Sequence, residues 1–433
     1  MINFRLSSLL HHPTAAMDSH TARIDSSFTK SSERSHGERL VPSQETIQRV
    51  QGLFPVFGIT RVANVTGLDH IGIPVVMVTR PNSRSISVSQ GKGTSLPAAK
   101  ASGIMEAIEG YHAENITLPL RLASYAEMFY AHKLPDLNLL PRISGRPLHP
   151  HNQILWIEGT DILNNCPTMV PYELVHLNFR LPLPTGCGYF PANSNGLASG
   201  NHLLEAINHA ISEVIERDAT TLWDCLHEQA QEQTKIDLTT VDDEACSYLL
   251  KKYQEADILA GVWESTTDTG VPSFICRIIQ NAPPPHHHFR PASGMGCHPN
   301  RSIALKRALT EAAQSRLTFI AGARDDMPRA EYTQHLQEDM YHSWRRKIEK
   351  TTHQRHFRDG ASFQSRSLAE DIDWQLTRLK TSGITQVIVV NLTRKEFEIP
   401  VVKVIIPGLE GIASSRSYIF GARAQNILKQ NRP

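Results

Sequence analysis

Three segments of the sequence share a spacing of small and acidic residues that a helix places on one face. Each follows a glycine-containing stretch, which we interpret as a turn, and has four positions separated by steps of four, three and three residues. The positions are Ala99, Gly103, Glu106 and Glu109 in the first segment, Ala206, Ala210, Glu213 and Glu216 in the second, and Ala304, Ala308, Glu311 and Gln314 in the third. Such steps form one stripe along an α-helix. Small residues let another backbone approach, whereas acids on the same stripe are costly to bury without a counter-charge.

The repeated acids favour a cation-binding site over packing alone. A single helix of this kind is ordinarily a solvated surface helix, but three aligned helices favour a hard divalent metal as the counter-charge. The glycine stretches are Gly91-Lys92-Gly93, Asn195-Gly196 and Gly294-Met295-Gly296. Glycine lets a backbone approach a ligand closely, and a helix N-terminus favours anions. Together these features predict a nucleotide phosphate that Mg²⁺ bridges to the protein.

The overall composition excludes several classes of protein. The 44 Lys and Arg residues nearly balance the 43 Asp and Glu residues, so no global basic field suggests a nucleic-acid partner. No apolar run approaches the roughly 20 residues that a membrane span requires. The six cysteines are scattered without close pairs, which predicts a reduced, cytoplasmic protein with neither a disulfide framework nor a cysteine zinc site.

The order of elements predicts an α+β fold, because strands and long helices do not alternate as regular βαβ units. Helical patterns cover 43–53, 97–115, 202–227, 241–255 and 302–320, and strand patterns cover 71–78, 84–89, 154–157, 169–172, 261–265, 273–280, 386–392 and 400–406. We predict a disordered extension at 1–40, a catalytic domain at 41–412 and a tail at 413–433. A targeting peptide within 1–16, or a true start at Met17, are two open readings of the extension.

Three further candidates each have a plainer interpretation that we favour. The His286-His287-His288 run follows three prolines and is interpreted as a surface loop, although it could bind metal. Cys187 could be a reactive thiol, but no electropositive surroundings are visible, so an inert cysteine is expected. Asp69-His70 could be catalytic, although a structural pair is the better interpretation.

The three segments also resemble the signature segments of the YcaO family. They read GKGTSLPAAKASGIMEAIEGYHAEN, NSNGLASGNHLLEAINHAISEVIERDA and SGMGCHPNRSIALKRALTEAAQSR, and GITRVANVTGLDHIGIPVV and VVKVIIPGLEG flank them. The resemblance covers roughly residues 40–412. It implies a YcaO-like fold with three pseudo-repeated units around one ATP site. It also implies an ATP- and Mg²⁺-dependent enzyme that phosphorylates the oxygen of a peptide backbone amide.

The resemblance assigns site residues by position and leaves the catalytic residue unknown. It implies that Glu106, Glu109, Glu213 and Glu216 bind metal. It implies that the nucleotide site contains Lys92, Glu106, Asn195, Asn201, Glu205, Arg217, Glu311, Gln314 and Arg316. From the residues alone, Arg217 and Arg316 could either contact phosphate or form salt bridges that orient the carboxylates.

Two departures from the family pattern bear on the product. Gly110 stands where the first motif usually has an arginine, so one contact is lost or supplied elsewhere. The chain lacks the Pro-x-Pro-x-Pro tail of azoline-forming members, and its opening is similar to members that work with a TfuA-type partner. We therefore expect a thioamide-forming enzyme that acts on a peptide or protein. The small helix residues and the family resemblance also predict a homodimer. An azoline-forming cyclodehydratase and a non-catalytic peptide-binding scaffold are the alternatives.

Overall fold

A computed structural model describes residues 39–145, 147–282, 291–327, 338–351, 355–411 and 418–431. The predicted disordered extension, except for its last two residues, and the His286–His288 run lie outside the described residues. The chain divides into two compact units. Unit 1 contains residues 39–41, 112–214 and 365–425, and unit 2 contains residues 42–111, 215–364 and 426–431. Each unit is described by itself.

Eleven helices are found among the described residues. They are α1 (Ser43–Gln51), α2 (Phe54–Phe57), α3 (Leu96–Glu114), α4 (Tyr125–Phe129), α5 (Leu203–Asp224), α6 (Glu228–Glu232), α7 (Glu244–Glu255), α8 (Arg301–Ala321), α9 (Glu338–Glu349), α10 (Leu368–Thr381) and α11 (Ala422–Gln430). The three predicted motif helices correspond to α3, α5 and α8. Within the described chain, no helix combines the length and the apolar character that a membrane span requires.

The described chain also contains sixteen strands. They are β1 (Arg61–Asn64), β2 (Val75–Thr79), β3 (Val88–Lys92), β4 (Leu120–Ser124), β5 (Arg142–Ile143), β6 (Gln153–Asp161), β7 (Cys166–Pro171), β8 (Leu197–Ser199), β9 (Ile236–Asp237), β10 (Ile258–Glu264), β11 (Ser273–Gln280), β12 (Ala292–Cys297), β13 (Arg355–His356), β14 (Ile388–Asn391), β15 (Val401–Ile405) and β16 (Tyr418–Ile419). Together with the helices they confirm the predicted α+β class.

Unit 1 contains a six-stranded antiparallel sheet. Its order is β4-β6-β14-β15-β8, and β7 pairs with β6 outside this path. Every residue of β15 is buried, and β14 is buried except at its last residue. Their continuous apolar runs are typical of strands in the middle of a core.

Unit 2 contains two three-stranded antiparallel sheets, β1-β2-β3 and β10-β11-β12. Helix α8 buries a stripe of alanines and leucines, including Ala304, Leu305 and Ala308, in one core cluster with Tyr253 and Phe274. The helix begins at the cap Asn300, whose side chain accepts hydrogen bonds from the amides of residues 302 and 303, and it ends at Gly322 in the left-handed conformation. Strands β10 and β11, which pair as a hairpin, correspond to the strands predicted at 261–265 and 273–280.

The prediction that the first and third glycine stretches form turns is wrong. Gly91 lies in β3, and Gly294 and Gly296 lie in β12. A Cβ atom on Gly294 would lie 2.2 Å from the backbone nitrogen of Ala312, and one on Gly296 would lie 2.1 Å from the Ala304 oxygen. These glycines are therefore required because the helix backbone packs directly on the strand, not because the chain turns there. The second stretch does turn, with Gly196 at a φ of 76°.

The strands of the first hairpin begin later in the chain than predicted. The sequence pattern favoured strands at 71–78 and 84–89, whereas β2 and β3 pair from Val75 opposite Lys92 to Thr79 opposite Val88. The Arg80 amide donates to the Ser87 carbonyl at 2.7 Å and closes the intervening loop. The alternating serines before Val88 are therefore loop residues. Similarly, the predicted tail at 413–433 includes β16 and α11.

We expect the substitution Gly294→Ala to destabilise unit 2 by about 3 kcal/mol or more, because the added methyl group overlaps helix backbone that has no room to shift. Urea unfolding of the two proteins measures this loss. Gly52→Ala is the matched control, since a Cβ there meets nothing within 4 Å. Equal unfolding midpoints for Gly294→Ala and the wild type would contradict the close helix–strand contact.

Candidate functional site

The third of the four stripe positions is a glutamate in every motif helix. Each of these glutamates accepts a hydrogen bond from a backbone amide in or next to the preceding glycine stretch. Glu106 accepts a hydrogen bond from the Gln90 amide at 3.4 Å, and Glu213 accepts one from the Gly196 amide at 3.3 Å. Glu311 accepts one from the Met295 amide at 3.2 Å. Each carboxylate is thus held against its own strand or turn by a backbone donor, which leaves its second oxygen for another partner.

In unit 2, the first and third motifs meet at an ion pair. The Lys92 ammonium donates to Glu311 Oε2 at 2.5 Å, and both side chains are partly exposed. Burial raises the pKa of the Glu311 carboxyl, but the positive charges of Lys92 and Arg217 lower it, and the net shift is downward. Glu311 is therefore an anion between two cations.

Part of the second motif lies in the same unit. The Arg217 guanidinium lies 3.3 Å from Glu216 Oε1 and 3.4 Å from the Met295 sulfur. Lys92, Glu216, Arg217 and Glu311 thus bring residues from all three motifs into one charged cluster. Both cations are partly exposed, so this cluster is suited to an anionic ligand.

The other predicted residues of unit 2 lie along the same helices. Glu106, Glu109 and Gln314 are half-buried. The Gln90 side chain accepts a hydrogen bond from the Thr318 hydroxyl at 2.7 Å, so α8 is tied to the strand residue that donates to Glu106.

Arg316 is committed to a buried ion pair. Its Nε donates to Asp69 Oδ2 at 2.7 Å, and the two side chains are only 2% and 3% exposed. A second donor reaches the Gln280 side chain at 3.2 Å, and His70 bridges from Asp69 to the Ala256 carbonyl. Asp69 and His70 thus form the paired arrangement that the sequence analysis favoured, and the partner of Arg316 is Asp69, which is not one of the motif carboxylates.

In unit 1, a turn presents Asn195 beside the Glu213 contact. The Asn195 amide donates to the Asn193 side chain at 3.1 Å, and the Gly196 carbonyl accepts from the Val404 amide at 2.7 Å. The turn is consequently fixed between β15 and the start of β8.

Lys403 is a functional candidate that the sequence analysis missed. It is 2% exposed in the middle of β15, and its ammonium donates to the Asn193 carbonyl at 2.5 Å. Burial lowers the pKa of Lys403 to about 7, while the Glu213 carboxylate acts in the opposite direction. The available signal was a single lysine inside the β-branched run Val401–Ile405, since a charge in such a run must find a partner.

Glu205 is paired with Arg39, which lies near the end of the predicted N-terminal extension. It is 3% exposed, and its Oε1 accepts from the Arg39 guanidinium at 2.7 Å. Burial lowers the pKa of the neighbouring His202, and Glu205 opposes that shift. Asn201, between the strand and α5, is half-buried.

Cys187 is half-buried in a loop of unit 1, in surroundings that favour a neutral thiol. Its sulfur is 3.6 Å from His176 Nε2, while His176 Nδ1 accepts from the Asn178 amide. Burial and the nearby Glu173 carboxylate raise the pKa of Cys187 to about 11. These surroundings agree with the interpretation of an inert cysteine.

The chemistry of these residues fits ATP and Mg²⁺. Glu205 Oε2, Asn195 Oδ1 and Gln314 Oε1 are buried oxygens without a hydrogen-bond partner among the described residues, and such atoms call for a donor or a cation. Among the same residues, no three His, Cys, Asp or Glu side chains converge as a metal site. Mg²⁺ commonly takes one or two carboxylates together with phosphate oxygens and water, and the cations at Lys92 and Arg217 suit phosphate.

We expect Asp69→Asn to cost about 3–5 kcal/mol of unfolding free energy, because it leaves the buried Arg316 charge uncompensated. Asp242→Asn, which removes the exposed partner of Arg358, should leave the stability nearly unchanged. Chemical denaturation of the two variants compares them directly. Similar losses in both would show that the Asp69–Arg316 pair is not buried as described.

The burial of His176 predicts a pH-dependent stability. Burial, with a further contribution from Lys403, lowers its pKa from 6.5 to about 4. Between these values the unfolded chain binds a proton that the folded protein excludes, so the folded state loses stability as the pH falls from 6.5 to 4. Relative to His176→Gln, the wild type should lose on the order of 3 kcal/mol across this window.

Urea unfolding between pH 7 and pH 4.5 measures this difference. His149→Gln, at an exposed histidine of the same unit, controls for replacing a histidine. A constant difference between the wild type and His176→Gln would rule out a histidine that is kept neutral by the fold.

Comparison with known proteins identifies the family of the chain. The family model described as YcaO cyclodehydratase, ATP- and Mg²⁺-binding, matches residues 90–410. A protein of Rhizobium leguminosarum bv. trifolii, described as an uncharacterized protein in the tfuA 3′ region, is 35% identical over 406 residues, which cover 90% of this chain and 93% of the relative. An uncharacterized protein of Methanothermobacter thermautotrophicus is 33% identical over 388 residues, which cover 87% of this chain and 95% of the relative.

Solved structures share the fold. YcaO from Methanopyrus kandleri bound with AMPPCP and Mg²⁺ is similar with a TM-score of 0.70 at 20% identity, over 90% of this chain and 99% of that one. A heterocyclase in complex with substrate and cofactor is similar with a TM-score of 0.73 at 22% identity, over 89% of this chain. The present chain spans 55% of that heterocyclase. The family match and the relatives establish that the chain belongs to the YcaO family, which binds ATP and Mg²⁺.

Proposed function

We propose that this protein uses ATP and Mg²⁺ to phosphorylate the oxygen of a backbone amide in a peptide or protein and, with a TfuA-like partner, converts that amide to a thioamide. The observation that carries the thioamide assignment is the Rhizobium relative, whose name places it in the tfuA 3′ region and whose similarity extends over 90% of this chain.

Residues of unit 2 would bind the phosphates of the nucleotide. Lys92 and Arg217 are the cations of the cluster; Glu311 pairs directly with Lys92 and is stabilised electrostatically by Arg217. Arg316 would act through its pair with Asp69 and not by touching the nucleotide, since its guanidinium is buried. When bound, ATP supplies the phosphoryl group and Mg²⁺ neutralises charge on the phosphates.

Four of the acids would hold the metal, and other polar side chains would approach the nucleotide. Glu106, Glu109, Glu213 and Glu216 are the proposed metal ligands, and their oxygens are the donors that Mg²⁺ prefers. The buried unpartnered oxygens of Asn195, Glu205 and Gln314 would accept hydrogen bonds from the nucleotide or its water, as Asn201 would from its half-buried position. No arginine stands at Gly110, and Arg39 pairs with Glu205.

An azoline-forming cyclodehydratase is the second candidate, because the family model carries that description and one similar structure is a heterocyclase. The products separate the two. Exchange of oxygen for sulfur raises the mass of the peptide, whereas cyclodehydration removes one water. A homodimeric assembly, a cytoplasmic location and a catalytic domain at 41–412 between an extension and a tail are further proposals.

The decisive experiment combines the purified protein with Mg·ATP, a sulfide source, the TfuA-like protein and peptides encoded beside its gene. We expect peptide-dependent phosphate release and a product whose mass matches replacement of one oxygen by sulfur. Glu106→Gln and Glu213→Gln should lower the rate of phosphate release by on the order of a hundredfold, because each removes a metal-ligand charge.

Glu255→Gln is the matched control, since this exposed acid at the end of α7 pairs with the neighbouring Lys251 and should leave the rate unchanged. A product that has lost water would assign the cyclodehydratase instead. Binding of peptide without any phosphate release under these conditions would favour the non-catalytic scaffold and overturn the proposed activity.

A further inference from the structure

Lys403 occupies a position where a charge is costly. All five residues of β15 are buried, and the strand lies between β14 and β8 inside the six-stranded sheet. A buried ammonium without a partner is strongly unfavourable. The ammonium of Lys403 offsets this cost with a hydrogen bond, because its Nζ donates to the Asn193 carbonyl at 2.5 Å.

The carbonyl that Lys403 binds begins the turn of the second motif. The Leu197 amide donates to the Ser194 carbonyl at 2.7 Å and closes the turn. The next residue of β15, Val404, donates its amide to the Gly196 carbonyl, also at 2.7 Å. A Cβ on Gly196 would lie 2.3 Å from the Val404 oxygen, so the turn lies directly against β15. Two consecutive residues of one strand therefore fasten both ends of the turn.

The same turn is fastened from the helix side by an acid. The Gly196 amide donates to Glu213 Oε1 at 3.3 Å, and the negative charge of Glu213 acts on Lys403. The ammonium, the turn and the carboxylate consequently form one connected unit. A displacement of any one of them changes the position of the other two.

We propose that Lys403 is a positioning residue that holds the Asn193–Gly196 turn and the Glu213 carboxylate in one geometry before nucleotide and metal bind. This inference rests on the proposed function, because Asn195 and Glu213 matter only if they serve an ATP–Mg²⁺ site. Lys403 itself touches neither ligand in this role. Its contribution is to reduce the ordering that binding would otherwise require.

A second buried lysine provides a matched control. Lys235 is 5% exposed, and its ammonium donates to the carbonyls of Ile348 and Lys350, each at 2.5 Å. It makes the same kind of contact as Lys403, but at the end of helix α9, outside all three motifs. Lys235→Met therefore reports the cost of losing a buried lysine that only supports the fold.

The test compares Lys403→Met, Lys403→Gln and Lys235→Met with the wild type. Backbone amide hydrogen exchange is measured first without nucleotide. Lys403→Met should speed exchange at Gly196 and Leu197 at least about tenfold, because the turn loses its anchor at Asn193. Lys403→Gln keeps a donor, so its effect should be smaller, and Lys235→Met should leave both amides unchanged.

Calorimetric titration with Mg·ATP then measures the effect on binding. We expect Lys403→Met to raise Kd about 10- to 100-fold, as for other residues that orient metal ligands, while Lys235→Met lowers Tm without changing Kd. In a Glu213→Gln background, Lys403→Met should cost less than about threefold, because residues that act through each other are not additive.

Wild-type Kd in folded Lys403→Met and Lys403→Gln, or unchanged amide exchange in both, would overturn the positioning role. Should Lys403→Met fail to fold, the same two criteria apply to Lys403→Gln alone. If the wild type itself does not bind Mg·ATP, the proposed function fails, and this role of Lys403 fails with it. That outcome is distinguished from the first because the wild type binds nothing.

Discussion

The direct contact of helix backbone with strand backbone is the constraint on which the candidate site depends. In unit 2, α8 lies so close to β12 that a methyl group at Gly294 or Gly296 would overlap its backbone. This contact brings the Glu311 carboxylate within 3.2 Å of the Met295 amide. A longer distance between helix and strand would leave the acid without its backbone donor. The site is therefore built on the absence of side chains at particular strand positions.

Charge balance is the second requirement, and neighbouring cations meet much of it. Glu311 lies between Lys92 and Arg217, and Asp69 is paired with Arg316. In unit 1, Lys403 is held against the turn that Glu213 also contacts. A folded protein keeps such charges inside only where partners offset the cost of dehydration. These pairs thus mark the places where the acids are held in a defined geometry and not simply solvated.

The sequence predicted the class of fold and most of its elements for identifiable reasons. The motif helices were found within one or two residues at their starts because the small and acidic positions repeat with helical spacing. Strands β14 and β15 were found because their β-branched runs are uninterrupted except by Lys403. The β2–β3 hairpin was misplaced because alternating Ser and Ile residues resemble a strand, while the bond from Arg80 to Ser87 makes them a loop.

The sequence by itself determined where the acids lie on their helices, since the spacing of Glu106, Glu213 and Glu311 places each acid on the small-residue face. It also determined the family, because the motifs are long and ordered. Tertiary structure decided what the glycines of the first and third motifs are for, that Arg316 pairs with Asp69, and that Lys403 contacts the turn of the second motif. These outcomes depend on contacts between residues far apart in the chain, such as Asp69 with Arg316 and Asn193 with Lys403. Local spacing contains no information about such distances.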